Sequence, residues 1–460
     1  MDIKELFEKD YTSKKITVQG WVRNHRKQAH FGFIDLSDGT CFEHLQVVYD
    51  DNLDNFEEIS KIKIGSALTI IGTLNESPKE GQKFELVLEE YKLEGDCPDD
   101  YPIQPKRHTR EFLREQAYLR PRTNLFQAVF RVRSVAAYAI HKYFQDNGYV
   151  YVNTPLITCA DCEGSGEMFR LTKFDMNDIP KDKDGKVDFS KDIFGKEAFL
   201  TGTGQLHGEA YALAYKRIYT FGPTFRTEES NTKTHTNEFW MIEPEMAFYD
   251  LKDLMDMEED MLKYVVKYVL DNCPSEIEFF NNFVEKGLKD KLEKLVNSKF
   301  NRITHEEAIT LLKKAPNKWE FTPEYGEDIA KEHERYITEY YNSPVFIYDW
   351  PKDIKSFYMK QNDDGKTVAA VDLEIPGVGE LMGGSQREDD YDKLLKRMDE
   401  VGMTTETKEG LYWYTNLRRY GGCYHSGFGL GFERLLMYLT GIENIRDVIP
   451  FPRTPYNAEF

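Results

Sequence analysis

Residues 219–245 read YTFGPTFRTEESNTKTHTNEFWMIEPE, and this stretch decides the fold. Its apolar and polar residues alternate as in two strands, 219–226 and 237–246, joined by the polar loop 227–236. In an extended strand alternate side chains share a face. Phe239, Met241, Glu243 and Glu245 therefore point one way, and Trp240 and Ile242 the other. One face thus carries a ring and two carboxylates, beside a strand that ends in Arg226. Burying such charges without partners is costly. The face makes sense if it receives a ligand with a flat ring, a phosphate and an amine. An ordinary hairpin laced with salt bridges is the plainer reading, but a second arginine site lies far down the chain.

That site is GFGLGFERLLMYLTG, residues 427–441. Glycines and aromatics suit a tightly packed strand, and FERLLMYL reads as a helix stopped by Gly441. Arg434 falls in the first turn, where a cation opposes the helix dipole at a cost of a few tenths to about 1 kcal/mol. Glu433 offsets that cost in the plainer reading. In the sharper one Arg434 meets an anion, and a helix N-terminus already favours anions.

The chain has 460 residues, enough for a sizeable core in two or three domains. Hydrophobic residues make up 40% and aromatics 14%, which excludes a largely disordered chain. No apolar run is long enough to cross a bilayer, and MDIKELFEKD has no signal-peptide core. A cytoplasmic location is expected. The net charge of −20 argues against coating by a polyanion, so an RNA partner needs a local basic patch. Cys159 and Cys162 form a lone C-x-x-C without the second pair that a structural zinc site requires. GTGQLHG, residues 202–208, misses the dinucleotide fingerprint because its third glycine comes one residue late. A P-loop motif is absent.

Five β-like runs between about residues 16 and 92 predict a small barrel, with an OB-fold as the natural candidate. Its first two runs carry Arg23, His25, Arg26, Lys27 and His30 among Trp21, Phe31 and Phe33. Basic groups beside exposed rings suit single-stranded RNA. At least one of Trp21 and Phe33 is expected in the barrel core. Residues 96–122 read as a proline-rich, charged linker with a short polar helix, and its arginines and lysines as a solvated face. Residues 125–147 carry apolar groups at helical spacing and predict a long amphipathic helix ended by Gly148. Residues 251–341 are charged and largely helical, an insertion with no catalytic motif of its own.

FRTEES with NEFWMIEPE resembles motif 2 of the class II aminoacyl-tRNA synthetases, and GFGLGFERLLMYLTG resembles their motif 3. GYVYVNTPLI, residues 148–157, resembles motif 1. GWVRNHRKQAHFGFIDLSDGT, RTNLFQAVFRVRS, CEGSGEMF, GELMGGSQRE and RDVIPFPRTP extend the likeness, in order, to the asparaginyl members of the aspartyl, asparaginyl and lysyl subgroup.

The resemblance implies an α+β protein. An N-terminal five-stranded OB-fold β-barrel over 1–100 reads the anticodon, and 101–123 is a hinge. Residues 124–460 form a class II catalytic domain, an antiparallel sheet flanked by helices, with the insertion at about 251–341. The implied reaction activates asparagine with ATP and transfers it to the 3′ end of tRNA(Asn), in a homodimer using Mg²⁺. Arg226 and Arg434 are the implied catalytic residues, with Glu228, His235 and Phe239 joining them on ATP. Glu163, Gln205, Glu243 and Arg387 are implied to hold the amino acid, Asp372 and Glu380 the metal, and Arg26, Phe33 and Gln46 the anticodon. Aspartyl enzymes carry a lysine where this chain has Gly208, which speaks against aspartate. An aspartate–tRNA ligase and a non-aminoacylating RNA-binding paralogue are the alternatives.

Overall fold

The computed structural model describes residues 1–78, 82–159, 168–230 and 232–460. It divides into two compact units, residues 1–131 with Phe460, and residues 132–459. Among the described residues, no helix is long and apolar enough to cross a membrane.

The first unit contains a closed barrel of β1 (Lys15–Lys27), β2 (Phe31–Ser37), β3 (Leu45–Asp50), β4 (Ala67–Glu76) and β5 (Phe84–Gly95), ordered β1-β2-β3-β5-β4. Its interior is filled by every second residue, including Val18, Val22, Ile34, Leu36, Val47, Ile70 and Leu86. That alternation corrects one expectation: neither Trp21 nor Phe33 is core. Trp21 lies between inward-facing Gly20 and Val22 and is 43% exposed. Phe33 alternates with buried Gly32 and Ile34 and is only half-buried.

The linker is less solvated than its composition predicts. Thr109 caps the Arg110–Glu115 helix by accepting from the Phe112 amide. Arg120, in the 3₁₀ turn Arg120–Arg122, is fully buried with its guanidinium 4.4 Å from the Phe126 ring. A planar, weakly hydrated guanidinium can lie buried against an aromatic face. Ile103, Leu113 and Phe126 form a small core there.

The second unit is built on an eight-stranded sheet. Its strands are β6 (Val150–Tyr151), β10 (Arg217–Phe225), β11 (Glu238–Ala247), β12 (Asn301–Thr304), β13 (Val345–Pro351), β14 (Thr367–Ile375), β15 (Gly379–Gln386) and β16 (His425–Gly431), ordered β12-β13-β14-β15-β16-β11-β10-β6. The six middle strands pair antiparallel, while each edge strand pairs parallel, so the sheet is mixed rather than wholly antiparallel. A small side sheet joins β7 (Ile157–Thr158), β8 (Arg170–Leu171) and β9 (Ala198–Leu200).

The predicted long helix spans Asn124–Asp146, and Gly148 follows in the left-handed conformation at φ +74°. Phe144 stacks on Tyr219 of β10 with ring centroids 4.5 Å apart. The expected hairpin is β10 and β11, with Thr224 opposite Phe239 and Thr220 opposite Glu243. Residues 251–341 carry five helices, yet they also supply β12, and their first helix, Leu251–Asn272, packs on β14, β15 and β16.

Candidate active site

Two residue clusters lie along one face of β11. Strand alternation places Phe239, Met241, Glu243 and Glu245 there, a run of about 20 Å at 3.3 Å per residue. At the near end Arg226, Glu228, His235, Phe239, Met241, Glu380 and Arg434 line a pocket of about 160 Å³. The Arg226 guanidinium stands 5.5 Å from the Phe239 ring, and its Nη1 is 3.9 Å from Glu228. Asn237 holds the loop ends together by donating to the carbonyls of Arg226 and Glu228. His235 approaches Glu228 at 3.8 Å. Burial pulls the His235 pKa below its ordinary value, although the Glu228 carboxylate opposes this.

Arg434 enters from the first turn of the Phe432–Thr440 helix and donates to the Glu380 carbonyl at 3.0 Å. Glu433 does not simply neutralise it. The Glu433 carboxylate accepts from the Trp240 amide at 3.0 Å and from Arg133 at 2.8 Å, buried to 1% exposure.

At the far end the carboxylates are buried and paired. Glu243 accepts from the Gly204 amide at 2.8 Å and from the hydroxyls of Thr203 and Thr220. This fixes the turn that starts the Gln205–Tyr215 helix. A Cβ on Gly204 would come within 2.5 Å of Thr154 Oγ1 and 3.2 Å of Glu243, so only glycine fits. Arg387 pairs with Glu245, Nη2 to Oε1 at 2.5 Å and Nε to Oε2 at 3.2 Å, and Nη1 donates to Ser385 at 2.8 Å. The partner of Arg387 is thus Glu245, two residues beyond the carboxylate singled out by sequence. Burial and the Glu209 charge push the Glu245 carboxyl up to about 7, against the pull of Arg387. Burial would lower the Arg387 pKa, but Glu245 and Glu209 raise it further.

The chain is similar to known proteins over nearly its whole length. Residues 109–455 match the family described as tRNA synthetases class II (D, K and N), and residues 16–94 match the OB-fold nucleic acid binding domain. The asparagine–tRNA ligase of Acholeplasma laidlawii is 59% identical over 98% of this chain and 97% of its own length. That of Clostridium tetani is 55% identical over 100% and 99%. The crystal structure of asparaginyl-tRNA synthetase from Pyrococcus horikoshii complexed with asparaginyl-adenylate superposes with a TM-score of 0.85 at 32% identity, covering 97% of this chain and 96% of that one.

The chain belongs to the asparagine–tRNA ligase family.

In this class II synthetase Gly208 lies against the sheet. Its Cβ position is 3.3 Å from Ile218 and 3.6 Å from Glu245 Cγ, so the space opposite Gly208 is taken up by Ile218 and Glu245. His207 turns instead to stack on Trp413, with centroids 4.8 Å apart. Gln205 opens its helix with its side chain buried and donates from Nε2 to Glu209 at 3.1 Å. Glu163 lies outside the described residues, as does Cys162.

Asp372 and Glu380 of the synthetase converge. A Cβ on Gly383 would be 3.4 Å from Asp372 Oδ1 and 3.0 Å from Glu380 Oε1. Lys355 donates to the other Asp372 oxygen at 2.6 Å. Among the described residues no group of three His, Cys, Asp or Glu side chains stands ready to hold a metal alone. Two converging carboxylates nevertheless fit Mg²⁺, which commonly takes one or two carboxylates and completes its shell with substrate phosphates and water. Glu334, from the Lys331–Tyr341 helix, hydrogen-bonds the Glu380 backbone, and burial with the Glu380 charge lifts its carboxyl to about 7. The helical insertion therefore reaches the site, which its sequence did not signal.

On the synthetase's barrel Arg26 donates to Gln46 at 3.2 Å and lies 5.3 Å over the Phe33 ring. Phe31 meets Phe33 edge-on at 5.5 Å. These residues form one exposed face of β1, β2 and β3.

Sequence reasoning missed Glu209, Tyr414, Arg418 and His425, which gather around Arg387. Glu209 lies one helical turn after Gln205, and that spacing was the available signal.

Proposed function

We propose that this synthetase is an asparagine–tRNA ligase. It makes asparaginyl-adenylate from ATP and asparagine and passes the asparaginyl group to the 3′ end of tRNA(Asn), as a cytoplasmic homodimer using Mg²⁺. The observation that carries the reading is the Glu245–Arg387 pair packed against Gly208. A side-chain pocket whose arginine is already neutralised, and which has no lysine at 208, takes a neutral amide in preference to a carboxylate.

The asparagine carboxylate attacks the α-phosphorus of ATP in line and expels pyrophosphate. Arg226 holds the α-phosphate and stabilises the charge developing on it. Phe239 stacks on adenine, and Arg434 takes the γ-phosphate. Glu228 and His235 border the phosphates and the incoming tRNA end. Mg²⁺ held by Asp372 and Glu380 supplies Lewis-acid neutralisation of the phosphate charge. Gln205, with Glu163, receives the α-amino end. Arg387 donates to the amide oxygen and Glu243 accepts from the amide NH₂. Positioning and charge neutralisation drive the step, so no covalent enzyme intermediate is needed.

Arg26, Phe33 and Gln46 offer a cation, a ring and an amide to an anticodon base. Exposed Val150 and Tyr151 form β6, an edge strand of the sheet, apolar area that supports dimer formation. Free Cys41, Cys97, Cys159 and Cys423 suit a reducing compartment.

The test is ATP–pyrophosphate exchange with asparagine and aspartate side by side. Exchange dependent on asparagine is expected. Exchange that follows aspartate instead overturns the reading.

A further inference from the structure

Behind Arg387 lies a carboxylate that no step of the proposed reaction uses. Glu209 sits one helical turn after Gln205 and is completely buried. It accepts from Gln205 Nε2 at 3.1 Å, Tyr414 Oη at 2.9 Å and Arg418 Nη2 at 2.9 Å, and faces His425 Nε2 at 2.8 Å. Arg387 Nε stands 4.0 Å away. Five groups from four separate elements thus converge on one anion: the Gln205–Tyr215 helix, the Tyr412–Asn416 helix with its following residues, the end of β15, and β16.

The partners are themselves locked. Arg418 donates from Nε to the Glu388 carbonyl at 2.8 Å and from Nη2 to Tyr414 Oη at 2.9 Å. His425 Nδ1 meets the Cys423 carbonyl at 2.8 Å, and the Arg387 amide donates to the His425 carbonyl at 2.8 Å. Burying a carboxylate this deeply is expensive unless its lone pairs are filled. Two of the groups around Glu209, Gln205 and Arg387, are ones the proposed reaction assigns to the amino acid. A purely structural anchor would not need two of its partners to be Gln205 and Arg387.

We propose that Glu209 is a positioning residue for amino-acid selection, which holds Gln205 and Arg387 in the arrangement that accepts a neutral side-chain amide and adds a negative charge that turns away a carboxylate. This rests on the asparagine–tRNA ligase reading. Glu209 touches no substrate atom. It sets the rotamer of Gln205 through one hydrogen bond and the local charge around Arg387 through its proximity. Tyr414 and Arg418 hold it in turn.

The test compares wild type, Glu209→Gln and Tyr414→Phe in pyrophosphate exchange, with KM measured separately for asparagine and ATP. Glu209→Gln removes the charge and keeps the volume. It raises KM for asparagine by about tenfold or more, the scale of a lost charged hydrogen bond, and leaves KM for ATP unchanged. It also narrows the preference for asparagine over aspartate. Tyr414→Phe removes one donor and keeps the charge, so KM for asparagine rises severalfold while the preference holds. Should Glu209→Gln fail to fold, Tyr414→Phe decides by the same split between the two substrates.

A folded Glu209→Gln enzyme with wild-type KM for asparagine overturns the positioning role. So does a parallel loss for both substrates with an unchanged preference, the signature of a merely structural anchor. Wild-type exchange with asparagine is the separate check on the ligase reading. A wild type active with asparagine beside unaltered variants sinks this inference alone, and a wild type silent with asparagine sinks the reading beneath it.

Discussion

Glu245 and Arg387 form a two-pronged pair, at 2.5 and 3.2 Å, with both side chains buried. They are 142 residues apart and come from β11 and β15, two strands separated by β16. The carboxylate reaches across β16 only because residue 427, opposite Glu245 in the ladder, is glycine. A Cβ there would lie 2.2 Å from Glu245 Oε1.

Gly427→Ala therefore pushes the Glu245 carboxylate out of place and leaves a buried arginine without its partner. Breaking a buried pair costs about 3–5 kcal/mol. The expected outcome is a lower midpoint in denaturant unfolding together with loss of asparagine activation. A variant with wild-type stability and exchange would show that the pair tolerates displacement.

Arg434→Ala is expected to fold normally, because Arg434 is partly exposed, donates to the Glu380 carbonyl and lies 3.6 Å from the Glu380 carboxylate. Adenylate formation should fall by orders of magnitude, since a charge-assisted phosphate contact is lost from the transition state. Near-normal pyrophosphate exchange in the folded variant would remove Arg434 from the reaction.

Phe33→Ala and Gln46→Ala should weaken tRNA charging while leaving asparagine activation intact. A stacking contact is worth about 1–3 kcal/mol per base. Phe33 is half-buried and lies outside the barrel core, so truncation leaves no large cavity. Equal losses in both reactions would contradict an anticodon role.

Acid stability provides a fourth measurement. Burial alone would raise the Glu209 carboxyl, but the Arg418 charge and the His425 hydrogen bond and charge outweigh it and hold its pKa below the ordinary 4.5. A depressed carboxyl contributes stability that is present above its unfolded value and lost as pH falls toward its folded one. The gap in unfolding midpoint between wild type and Glu209→Gln should thus shrink as pH falls below the ordinary carboxyl pKa. A gap that widens on acidification would reverse the sign assigned here.

Period-two alternation made the face of β11 legible: Phe239, Met241, Glu243 and Glu245 lie where the strand pattern puts them. The same rule applied to Trp21 gives its exposure once the barrel register is known, but not before, because either face of an isolated strand can turn inward. Arg434 in the first turn of its helix was equally readable. What alternation could not give was pairing. Whether Glu243 or Glu245 meets Arg387 depends on how β11, β16 and β15 register, and β15 and β16 lie more than a hundred residues downstream. Arg418 and His425 carry no local mark at all, since their meaning comes from Glu209, more than two hundred residues away. Arg120 looked like one more charge in a polar linker until Phe126 was seen beside it.

Glu433 holds two neighbours with its two oxygens, the Trp240 amide beside Phe239 and the guanidinium of Arg133 on the long helix. Its own helix presents Arg434 one residue later. The ring expected to hold adenine and the arginine expected to hold the last phosphate are thereby kept at a fixed spacing by one carboxylate, which acts as a gauge for the length of the nucleotide between them. The long helix is fastened to the same gauge, so it cannot shift along its axis without breaking the Arg133 contact that sets it.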